Sequence, residues 1–249
     1  MGKGTEKGTG RGRYHHGDLR GALLDAAEAL VRERGVDGWS LREASTRVGV
    51  SPSAAYHHFA SRDALVRALS RRVLGQLGER MGRAAEVPAG GDPHRRLVAV
   101  GRAYVRAALE DPAVTRLAFG AGASPAGQGV GPSPASQGAR QGRAPGAEPL
   151  PLHPHHVLDA ELDLLVESGH LAPSARPGAD FIVWTAVHGL AVLLADGLVT
   201  VDDLEAADRQ AERTVRTTLT GLHHEATPTP PWPTPHSSHT NRTAAAPHA

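Results

Sequence analysis

Apolar residues recur at helical spacing in stretch after stretch of this chain, and the strict alternation of a half-buried strand appears nowhere. An all-α fold follows. Leu19, Leu23, Ala26 and Leu30 line one face of a helix predicted from Asp18 to Arg34. Asp18 is placed to cap its first turn, and Gly35 stands where a left-handed residue ends a helix. Two short helices come next. Ser40 and Glu43 have the spacing of a capping box, with Trp39 before it as a hydrophobic staple. Leu41, Ala44 and Val48 face inward. Gly49 supplies a tight turn, Ser51 caps the next helix, and Pro52 occupies its first position, where a missing N–H is harmless. Phe59 closes that helix onto the core. Ser61 caps a longer helix that carries Asp63 in its first turn and runs through Leu65, Leu69 and Val73 to about Ala85.

A second helical region opens near Asp92. Asp92-Pro93 and Asp111-Pro112 both read as helix starts. Leu97, Gly101, Tyr104, Val105 and Ala108 form one stripe, and a short helix is expected from Ala113 to Phe119. Periodicity returns with Val157, Leu158, Leu162, Leu165 and Val166. Phe181 to Leu198 is the most apolar helix, and Leu204, Ala207, Ala211, Val215, Leu219 and Leu222 mark a clean amphipathic last one. Between them, 121–149 is almost entirely Gly, Pro, Ala, Ser and Gln. Such a stretch buries too little apolar surface to offset its ordering entropy, so a disordered loop is expected there. The Pro-, Thr- and His-rich 225–249 is expected to be a disordered tail. The predicted organisation is thus a basic arm at 1–13, a smaller helical domain at 14–70, and a larger helical domain at 71–224.

Charge sharpens this picture. The net charge of the 249 residues is only +1. Up to Arg83, however, 15 Lys and Arg stand against 9 Asp and Glu, while the remainder has 12 against 17. A basic front and an acidic back suit a protein that offers one end to phosphates. Lys3, Lys7, Arg11 and Arg13 in the arm either solvate a plain tail or add to phosphate binding. Absence of cysteine excludes disulfides and thiolate chemistry. No signal-peptide pattern opens the chain, and the longest apolar run, Gly189 to Ala195, is far short of a membrane span, so a soluble cytoplasmic protein is expected, with no membrane partner.

The short helix, glycine turn, short helix pattern from Ser40 to Phe59 is a helix-turn-helix. Its second helix presents Ser53, Tyr56, His57 and His58. Tyr56 offers a flat ring for a thymine methyl or a sugar and a hydroxyl for phosphate; the competing reading packs it against the first helix. His57 and His58 can donate to phosphate or base, unless one is partly buried. Arg62 and, through its hydroxyl, Ser40 are expected on backbone phosphates.

These residues also resemble a known family. Gly49-Val50-Ser51, followed by Tyr56-His57-His58-Phe59 and Ala64-Leu65, is similar to the signature of TetR-type transcriptional regulators, and the likeness runs from Tyr14 to Leu69. Trp184, His188 and Gly189, with Leu117 to Gly120, resemble a motif of one subfamily's second domain. The resemblance implies a homodimer paired through its last two helices, and a small-molecule pocket in each subunit that controls affinity for a double-stranded DNA operator. Arg42 resembles a position that reaches a base edge, where arginine grips guanine; otherwise it is a solvated surface arginine. Two departures stand out: the Gly/Pro-rich 121–149 insertion, and Ala54 and Ala55 in place of the commoner Thr and Leu.

In the second domain, Trp184 and His188 share a helix face. They pack the core or the dimer seam, or they line an effector cavity beside Tyr104 and Phe119, mostly apolar because few polar anchors are at hand. No cofactor is expected. Rival readings are a structural DNA-binding protein without sequence preference and a histidine-metal enzyme built on His153, His155 and His156 near Asp159 and Glu161. The modest net charge disfavours the first. The lack of a second ligand cluster, of a Ser-His-Asp signature and of a phosphate-binding loop disfavours the second.

Overall fold

The computed structural model describes residues 18–87, 92–120 and 153–224. The basic arm at 1–13, the loop at 121–149 and the tail at 225–249 lie outside the described residues. All regular structure among the described residues is helical: α1 (Leu19–Arg34), α2 (Leu41–Val48), α3 (Pro52–His58), α4 (Arg62–Ala85), α5 (Arg95–Glu110), α6 (Pro112–Gly120), α7 (Pro154–Glu167), α8 (Ala179–Ala195) and α9 (Leu204–His224), with a single 3₁₀ turn at Pro173–Ala175. No helix among them is long and apolar enough to cross a membrane.

The chain divides into two compact units. The first holds the residues up to Val73 together with α6 from Ala113. Its core is built from Leu23, Leu30, Leu65 and Leu69, with Trp39 and Phe59 buried beside them. Val114 and Leu117 of α6 belong to the same core. The sequence order placed α6 with the second domain, and its short apolar face turns instead to the first. Ser70 anchors it there, since its buried hydroxyl donates to the Ala118 carbonyl at 3.0 Å. That bond satisfies both groups away from water.

The second unit comprises the rest, from Leu74 onward. Here α5, α8 and α9 pack on one another, and α7 packs on α5 and α8. Gly101 brings α5 close to α9: a Cβ at that position would lie 2.8 Å from the Val215 side chain. Arginines of α5 tie down the polar edge of this contact. Arg106 binds Asp208 through Nε at 2.8 Å, and Arg102 reaches Glu212. From α9 itself, Arg216 binds Glu212 at 2.8 Å and reaches back to Asp92. Asp92-Pro93 does not start α5 directly. Asp92 accepts from the His94 N–H at 3.0 Å, and the helix begins at Arg95.

Candidate nucleic-acid interface

The reading head is assembled from local hydrogen bonds that its sequence dictates. Asp18 caps α1 by accepting from the Gly21 N–H at 2.8 Å. The capping box of α2 is complete: the Glu43 N–H donates to Ser40 Oγ at 3.2 Å, and the Ser40 N–H donates to Glu43 Oε2 at 2.9 Å. Gly49 follows α2 in the left-handed region, at φ 81° and ψ 26°. Its N–H donates to the Thr46 carbonyl at 3.0 Å, and that of Val50 to Ser45 at 3.0 Å. This turn ends the helix within two residues, and a side chain at 49 would strain it. Ser51 then caps α3 by accepting from the Ala54 N–H at 3.2 Å, with Pro52 at the first position. Ala55 is fully buried beneath the helix, so the small residue there serves close packing of α3 against the core.

With Ala55 inward, Ser53, Tyr56, His57 and His58 are all exposed. Tyr56 is 54% exposed, among the largest apolar surfaces the described residues leave open. A ring left in water contributes little to folding and stays available to a partner. Arg42 is likewise exposed on α2, with its carbonyl accepting from the Thr46 hydroxyl at 2.9 Å. Ser40 is different. Its hydroxyl also donates to Glu43 Oε2, at 3.0 Å, so it is engaged in the capping box as both donor and acceptor. Arg62 is also engaged within the protein. Its guanidinium donates to the carbonyls of Val36 and Trp39 and leaves only a quarter of the side chain exposed. The arginine expected on phosphate pins the α1–α2 loop to the start of α4. The engagement of Ser40 is the capping box its spacing from Glu43 spells out, whereas that of Arg62 depends on residues 23 and 26 positions away.

In the second unit, Tyr104 of α5 and His188 of α8 meet: Tyr104 Oη lies 2.7 Å from His188 Nδ1. Trp184 stacks on His188 with ring centres 5.0 Å apart and planes within 15°. His155 of α7 lies 5.2 Å from Trp184 on ring centres, and His153 stacks on His155 in turn. Phe119 stands on α6, which belongs to the first unit. Burial governs the titration of the array. It raises the Tyr104 phenol and lowers His155 and His188. His153, lowered by burial and then by its neighbours His155 and His156, is pushed down to about 4. These shifts hold the imidazoles neutral.

The histidine-metal reading finds no geometry. No group of three candidate ligands that could hold a metal ion occurs among the described residues. Glu161, 5% exposed, is bound by Arg96 through two contacts of 2.7 Å. Asp159 accepts from Arg176 at 3.0 Å. Arg176 also binds Asp163 at 2.6 Å and approaches Asp180 at 3.5 Å, tying α7 to the start of α8.

Comparison with known proteins places the first unit. Residues 23–69 match the family model described as bacterial regulatory proteins, tetR family. A transcriptional regulator of the helix-turn-helix type, BetI of Brucella suis, is 32% identical over 81 residues, which are 32% of this chain and 40% of that protein. The helix-turn-helix transcriptional repressor KstR2 of Mycobacterium tuberculosis is 38% identical over 58 residues, 23% of this chain and 29% of its own. The chain thus spans well under half the length of these curated relatives. Among solved structures, a protein of unknown function from Rhodococcus sp. RHA1 is similar along most of the chain, with TM-score 0.61 and 28% identity over 84% of this chain and 98% of that one. A TetR-family transcriptional regulator from Pectobacterium atrosepticum shares the fold, with TM-score 0.57 and 20% identity over 86% and 99%.

Proposed function

We propose that the chain is a sequence-specific DNA-binding transcriptional regulator of the TetR type, a cytoplasmic repressor rather than an enzyme; the family match over residues 23–69 and the likeness to BetI support this. The observation that carries this reading is α3: capped by Ser51, started by Pro52, fixed by the Gly49 turn, and presenting exposed Tyr56, His57 and His58. A helix of seven residues reads few bases, so two copies on a near-palindromic operator supply the specificity. The pairing surface we assign to α8 and α9. Val192 and Leu193 of α8, Leu198 and Val199 of the connection that follows it, and Leu204 of α9 are exposed, Leu198 at 72%. An apolar surface of that extent favours a partner over water.

Release by a small-molecule effector completes the reading. The array of Tyr104, His188, Trp184 and His155 supports an effector site within the second unit. Nε2 of His155 is buried and has no hydrogen-bond partner among the described residues, which favours a ligand with a complementary polar group. An effector acts by binding the DNA-free form more tightly than the DNA-bound one.

The test is selection of bound duplexes from a random-sequence pool, followed by binding of the Tyr56→Ala variant. A near-palindromic consensus, lost with Tyr56→Ala at unchanged thermal stability, is the expected result. Enrichment of no sequence would leave a non-specific DNA-binding protein. Sedimentation of a monomer at micromolar concentration would remove the pairing of α8 and α9.

A further inference from the structure

The described arginines from α1 to Val73 sort by the partners that hold them. Four are neutralised by carboxylates: Arg32 by Glu28, Arg34 by Glu43, Arg47 by Glu33, and Arg72 by Asp25 and Glu28. Arg62 is held chiefly by the loop carbonyls. Arg20, Arg42, Arg67 and Arg71 are exposed and have no carboxylate oxygen within 4.0 Å among the described residues. Arg20 alone of these four lies over an aromatic ring among the described residues. Its guanidinium carbon sits 5.2 Å from the centre of the Phe59 ring. Phe59 is the residue that ends α3, directly after His57 and His58.

From this we infer that Arg20 is a phosphate-binding residue of the DNA interface, held at the C-terminal end of the reading helix by the Phe59 ring. The inference rests on the DNA-binding reading and adds a residue from α1 to it. Position argues against a purely structural role. Arg20 lies in the first turn of α1, which has no acidic residue in that turn. A cation there opposes the helix dipole, at a cost of about 0.3–1 kcal/mol. An exposed cation–π contact returns only about 0.5–1 kcal/mol. The two effects nearly cancel, so folding gains little from an arginine at this site. A phosphate gains more. The ring limits the rotamers of a long side chain, so less freedom is lost on binding, and the flat face of a guanidinium can stack while its edge donates.

The experiment uses the full chain and a fluorescein-labelled duplex of mixed sequence, about 30 base pairs long, titrated over a range of salt concentrations. Such a duplex reports phosphate contacts without knowledge of the operator. Arg20→Ala is expected to reduce the slope of log K against log salt by about one for each subunit bound, and to weaken binding alike on all sequences. Arg20→Lys is expected to keep the slope. Arg95→Ala, which removes an exposed charge from the start of α5, is expected to leave the slope unchanged. A wild-type slope in Arg20→Ala overturns the assignment, whether or not its thermal midpoint falls. An equal loss of slope in Arg95→Ala overturns it too, because bulk charge would then be the cause. Wild-type protein that ignores the duplex at low salt removes the DNA-binding reading itself, and the role of Arg20 with it.

Discussion

Arg62 and Trp39 are joined twice: Arg62 Nε donates to the Trp39 carbonyl at 3.0 Å, and the guanidinium lies over the Trp39 ring with its carbon 4.8 Å from the centre. The second nitrogen of the same group reaches the Val36 carbonyl. One side chain at the start of α4 therefore closes the loop that delivers α2 to its capping box. Arg62→Ala leaves two carbonyls without their donor and uncovers the indole. Loss of such partners costs roughly 1–3 kcal/mol. Urea denaturation should show that loss, while the salt slope of DNA binding stays as in the wild type. Unchanged stability with a reduced slope would make Arg62 a phosphate contact after all.

Arg42 stands exposed on α2 with no carboxylate within 4.0 Å among the described residues. Arg42→Ala is expected to relax sequence preference at one position in each half-site, by about 1–3 kcal/mol. Binding to a panel of single-base operator variants measures this directly. Equal weakening on every variant would assign Arg42 to the backbone.

Gly101 tests the packing of α5 on α9. Alanine is the better helix former by about 1 kcal/mol. Its Cβ, however, would sit 2.8 Å from Val215 Cγ2, and overpacking of this kind costs typically 1–3 kcal/mol, or about that. The steric term should win, and Gly101→Ala should lower the thermal midpoint. The double variant Gly101→Ala with Val215→Ala should recover part of the loss, because the clashing methyl is gone.

The histidine array makes stability depend on pH. His153 is pushed down to about 4, and His155 and His188 are lowered as well. In the unfolded chain histidine titrates near ~6.5. Between those values the unfolded state binds more protons than the native one. The stabilisation is therefore fully present above the unfolded value and is lost as pH falls through the window from about 6.5 to 4. Urea midpoints should fall between about pH 7 and pH 5, and fall less in His153→Gln. Carboxylates paired with arginine, such as Glu110 and Glu212, are held below their usual range, so they titrate beneath this interval. A midpoint independent of pH there would contradict the buried, neutral state of these imidazoles.

The helix starts and the turn were readable because each depends on residues only a few positions apart. Ser40 with Glu43, Gly49, and Ser51 with Pro52 state their geometry within a single turn of chain. Exposure of Tyr56 followed from the same period, since Ala55 takes the buried side. Other features have no such local statement. Arg62 reads as a free cation at a helix start until Val36 and Trp39 fold against it. Arg20 reads as one more basic residue until Phe59 arrives beneath it. Tyr104 and His188 meet across 84 residues, and nothing local assigns α6 to the first unit.

Periodicity, caps and the glycine turn were enough to establish an all-helical chain with a reading helix near its front. These are short-range properties, set by backbone geometry and by the hydrogen bonds of single turns. Which arginines remain free for phosphate, which are neutralised, and which aromatic groups gather in the second unit came only with the tertiary structure. A charge or a ring takes its role from the neighbours that folding brings to it, and those neighbours are remote along the chain.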